Sequence, residues 1–133
     1  MLAPAVDGFR LTLHVLAAAV WVGGQLTVAG LLGTVRGLGD DAPRRVAGAF
    51  GRLSWPAYVV LLGTGIWNVA AAGDHQSSAW KAVLSAKIAV AVLAGLTAWL
   101  HARSRSRAGL AVWGALAGTS SIAALIMGVF LAG

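Results

Sequence analysis

The chain contains four apolar runs, each near the length that crosses a bilayer, and this feature excludes most folds otherwise open to 133 residues. A transmembrane helix needs about 20 mostly apolar residues. The runs fall at 11–35, 53–72, 82–100 and 110–132. Hydrophobic residues make up 59% of the chain and charged residues 11%, against about 25% charged in an ordinary soluble domain. Polar punctuation separates the runs. The first connection, RGLGDDAPRR onward to Arg52, carries Gly, Pro and paired Asp; the second is GDHQSSAWK and the third HARSRSR. None is long enough to form a domain. The expected fold is therefore all-α, a single transmembrane domain over residues 1–133, built as an integral membrane four-helix antiparallel bundle. The opening MLAPAVDGFR has neither a basic start nor a small-residue cleavage site, so the first run is expected to be a retained helix.

Charge gives the expected orientation. Connections one and three hold Arg36, Arg44, Arg45, Arg52, Arg103, Arg105 and Arg107, whereas the opposite side holds Arg10 and Lys81. Lys and Arg in short loops stay cytoplasmic. Both termini are thus expected on the outer side of a cytoplasmic (inner) membrane, with loops 36–52 and 101–109 inside. The net charge of +6 reads as this topology signal plus contact with anionic lipid, with no nucleic-acid partner. The chain has no Cys, which excludes disulfides and Cys-based metal centres.

Small residues mark candidate packing faces, because they let membrane helices approach closely. Ala19, Gly23, Thr27 and Gly30 form such a face in the first run. Ala91, Ala94 and Ala98 form one in the third, and Gly114 with Gly118, continued near Ser121, forms one in the fourth. These faces could join the helices to each other, to a second copy or to a larger membrane complex. They could also admit a flat macrocycle or a quinone.

Ionisable groups inside an apolar run are costly and mark candidate sites. His14 and Lys87 are the two present, at expected depths of about 5 and 8 Å at about 1.5 Å per residue. Asn68 and Met127, late in runs two and four, return to the same layer. Trp21 follows His14 by two turns on the same helical face. His14, Lys87, Met127, Trp21 and Asn68 are the candidate site residues, with His14, Lys87 and Met127 as possible metal ligands. Each has a plainer reading: an interfacial histidine, a lysine snorkelling to the surface, a packing methionine or tryptophan, an asparagine bridging helices. Gln25, Ser120 and Ser121 are expected to hydrogen-bond within the bundle. Trp55, Trp80 and Trp99 are expected near the interface.

The run LHVLAAAVWVGGQL resembles the first helix of the copper-resistance D (CopD) family, a histidine followed seven residues later by Trp-x-Gly-Gly. RRVAGAFGRLSWPAYVVLLGTGIW is similar to that family's next helix, with Thr64 and Gly65 at its Thr-Gly ending. WKAVLSAKIAVAVLAGLTAWLHAR is similar to the third, with Lys87 as its internal lysine. The same features resemble the J-type protoporphyrinogen oxidases (HemJ), although the chain has no counterpart of their Asn-Glu-Pro-containing C-terminal helix. The first resemblance implies copper passage across the inner membrane. The second implies b-type haem held at the positions of His14 and Lys87.

Three functions are therefore expected in competition. One is a haem b-binding electron-transfer or redox protein, a candidate oxidoreductase, with a His/Lys or His/Met axial pair. The second is copper transport, for which the soft donors are limited to Met1 and Met127. The third is an accessory subunit held by its Gly/Ala-rich faces.

Overall fold

A computed structural model describes residues 4–133. All regular structure among the described residues is helical: α1 (Ala5–Ala18), a π-helical turn (Ala19–Gly23), α2 (Gly24–Arg36), α3 (Ala42–Ala72), α4 (Ser78–Arg103) and α5 (Arg107–Ala132). Segment α1, the π turn and α2 run on as one rod. Four helices are thus long and apolar enough to cross a membrane. The chain divides into two compact units, one ending at Gly73 and the other spanning Asp74–Gly133.

The helix ends lie close to their expected positions, whereas the starts come earlier. The first helix begins at Ala5 rather than 11, the second at Ala42 rather than 53, the third at Ser78 and the fourth at Arg107. Apolar runs report only the part of a helix that lies in hydrocarbon, and the polar opening turns carry other signals. Pro43 occupies the first turn of α3, where its fixed φ suits a helix start and its missing N–H is no loss. Ser77 caps α4 by accepting from the Trp80 N–H at 3.1 Å, and Ser106 caps α5 by accepting from the Gly109 N–H at 3.0 Å. The first connection therefore shrinks to residues 37–41. Arg44, Arg45 and Arg52, expected in a loop, stand on α3 instead. Beyond α3, Gly73 takes φ +71°, a conformation that glycine adopts without steric cost.

The first unit is an antiparallel hairpin of the Ala5–Arg36 rod and α3. Its seam can be followed in layers. Phe50 of α3 places its ring where a Cβ on Gly24 would stand. Next, Trp21 packs against Trp55 and Tyr58, with ring centroids 5.5 and 4.5 Å away. Trp21 is only 3% exposed, and it is carried on the π turn, a local widening found often at functional positions. Then come the small Ala17 and, beyond it, His14 against Thr64 and Gly65.

The second unit pairs α4 with α5. Trp80 Nε1–H donates to the Leu131 carbonyl at 3.2 Å at one end. Ala94, Gly95, Thr97, Ala117, Ser120 and Ser121 fill the middle. His101 packs over Gly114 near the other end, with Nδ1 2.8 Å from the Leu110 carbonyl. Of the expected small faces of these two helices, Ala94, Gly114 and Ser121 pack, whereas nothing comes near where a Cβ on Gly118 would stand. In the first unit they do not: Ala19, Thr27 and Gly30 are exposed. Within that hairpin, nothing comes near the positions where a Cβ on Gly23 or Gly30 would stand.

Candidate functional site

His14 is the polar centre of the first hairpin. Its Nδ1 lies 2.8 Å from Thr64 Oγ1. The buried Thr64 hydroxyl already donates to the Val60 carbonyl at 2.7 Å, with a longer branch to Leu61 at 3.2 Å. Oγ1 therefore meets the imidazole as an acceptor, and Nδ1–H is the donor. In the neutral ring this fixes the tautomer and places the lone pair on Nε2, the arrangement by which an outer-shell partner orients a ligating histidine. Gly65 stands beside the ring: a Cβ there would make ordinary van der Waals contact, 3.6 Å from His14 Cε1.

One helical turn farther toward the start of α1 lies Arg10, only 9% exposed. Because the apolar run starts at residue 11, Arg10 reads as a flanking residue in the sequence, whereas the helix starts at Ala5. Arg10 Nη2 pairs with Asp7 Oδ1 at 3.0 Å. Its Nε and Nη1 are buried without a hydrogen-bond partner, and so is Asn68 Oδ1 on α3. Arg10 precedes His14 by four residues and Asn68 follows Thr64 by four, so an antiparallel seam places both in the next layer. A sequence signal existed: residues 10, 14, 17 and 21 form one helical stripe, with Asp7 three residues before Arg10 to partner it.

Lys87 and Met127 belong to the second unit. Lys87 is half-buried, and its Nζ lies 2.9 Å from where a Cβ on Gly128 would stand. The side-chain amine therefore lies against α5 at Gly128. His14 follows Ala5 by nine residues and Lys87 follows Ser78 by nine, about 13 Å along each helix.

The remaining candidates take up plainer roles. Gln25 Nε2–H donates to the Trp21 carbonyl at 2.9 Å. Ser120 bonds within α5. Trp99 is exposed under the Arg103 guanidinium, 4.3 Å from its ring centroid. Trp55, expected at an interface, is instead a wall of the Trp21 cluster. Outside the seam, Leu13, Leu16, Ala17 and Val20 face Leu53, Pro56, Ala57 and Val60 across an apolar groove of about 290 Å³.

The donor set discriminates between the two metals implied by resemblance. Copper(I) requires several soft ligands, and Met127 is the one thioether among the described residues; Met1 lies outside them. No group of three or more His, Asp or Glu that could hold a metal ion occurs among the described residues. Haem iron asks less of the protein, a single imidazole with an optional second ligand, and its carboxylates ask for a cation. An oriented His14 and the unfilled donors of Arg10, one turn apart, fit that demand.

Compared with protein families, curated proteins and solved structures, the chain has no match in any of the three.

Proposed function

We propose that the protein is a membrane-embedded haem b-binding protein of electron-transfer or redox type, with His14 as an axial ligand. The observation that carries this reading is the His14–Thr64 hydrogen bond, which orients the imidazole inside an apolar hairpin. A bound haem would supply one-electron chemistry, and the protein's part is to hold it in a low-dielectric seam and set its potential through ligand and burial. The resemblance to the HemJ family agrees with this reading, and Met127 as the one thioether among the described residues weighs against the copper passage that the CopD resemblance implies. The proposed setting is a cytoplasmic membrane with both termini outside.

The test is an absorbance spectrum of protein purified from haem-replete cells. A Soret band that is lost in His14→Ala is expected. A wild-type protein without the band, or an unchanged band in His14→Ala, rejects the proposal.

A further inference from the structure

We infer that Arg10 and Asn68 form a seat for an oxyanion, a carboxylate or phosphate group that enters the first hairpin one turn from His14. A buried guanidinium is kept charged, so its unfilled N–H groups call for acceptors. Asp7 serves only Nη2, and its side chain is 42% exposed, so water screens its charge. Nε and Nη1 face no acceptor, and Asn68 Oδ1 faces no donor. The two ends of an Asn amide are interchangeable by a half-turn. With Asn68 turned over, both residues bring N–H donors to the layer, which is the complement of an oxyanion and gives charge-assisted bonds to it.

Two sources of this chemistry exist for a membrane protein. One is a propionate of haem b, and this source rests on the function proposed above. The other is the phosphate of an anionic phospholipid, which does not.

The experiment has two arms on the full-length protein. In the first, haem b and its dimethyl ester, in which both carboxylates are capped, are titrated and followed by absorbance. A propionate in the seat gives wild type a preference for haem of about tenfold or more, equivalent to about 1.4 kcal/mol, which Arg10→Gln erases. In the second, retention of phosphatidylglycerol and phosphatidylcholine is measured by native mass spectrometry. A lipid phosphate in the seat gives selective retention of phosphatidylglycerol that is lost in Arg10→Gln and unchanged in Arg105→Gln, at an exposed loop arginine. Asn68→Asp guards against misfolding of the first variant, because its own carboxylate competes for Arg10 and is expected to abolish the same preference in a folded protein. If neither arm discriminates, the seat does not exist and water fills the layer. If neither haem nor its ester binds, the haem function fails while the lipid arm still decides the seat.

Discussion

Thr64 shows how much a single hydroxyl can decide in this protein. Its proton goes to its own helix, and its oxygen then dictates which imidazole nitrogen of His14 carries hydrogen. Removing such an outer-shell partner typically lowers metal affinity by about 10–100-fold. Thr64→Val keeps the side-chain shape and deletes the acceptor. The expected outcome is a folded protein whose haem affinity falls within that range, measured by titration. Unchanged affinity would show that the ring is oriented by packing alone. The residues of this layer were only half legible in the sequence. His14 and Asn68 stand out because they interrupt apolar runs. Arg10 did not, because a charge beside a run is indistinguishable from a flanking anchor until the helix start is known. Thr64 did not, because threonine within a membrane helix commonly bonds only to its own backbone.

At the scale of elements, the sequence placed the four helices well and their beginnings poorly. Hydropathy detects hydrocarbon-facing length, whereas Ser77, Ser106 and Pro43 determine where backbone bonding starts. The π turn was invisible for a different reason: AVWVG has the composition of its neighbours, and the turn is defined by what it meets on α3. Small residues also proved ambiguous. Three glycines seat large side chains: Phe50 at Gly24, His101 at Gly114 and Lys87 at Gly128. A glycine that seats a ring and one that faces lipid read alike. Gly24→Ala is therefore expected to destabilise the first hairpin by about 1–3 kcal/mol through overpacking, measured by unfolding in detergent. Phe50→Leu should recover most of that loss. Equal stability of Gly24→Ala and wild type would exclude the contact, whereas Gly30→Ala should change little.

For the whole molecule, the arginines have two duties. Arg44, Arg45 and Arg52 stand on the opening turns of α3 rather than in a loop, and Arg44, Arg45 and Arg52 surround a surface depression of about 700 Å³ together with Leu38. In the proposed orientation they would act as a topology signal at the cytoplasmic end and as a basic surface for anionic headgroups. The absence of cysteine makes the expected orientation easy to read. A single cysteine at Asp40 or Ser104 should react with a membrane-impermeant maleimide only from the cytoplasmic side, and one at Gln76 only from the outside. The reverse pattern would invert the topology.

The division at Gly73 also bears on how the chain enters a membrane. A lone helix carrying Arg10 and His14 would meet an insertion penalty, up to about 3 kcal/mol for an arginine at a helix centre. Its partner α3 brings Thr64 to His14, while Asp7 on the same turn of α1 already holds one edge of Arg10. A translocon that releases the first two helices together delivers a closed pair to lipid, with that polar layer turned inward before the second hairpin has been synthesised.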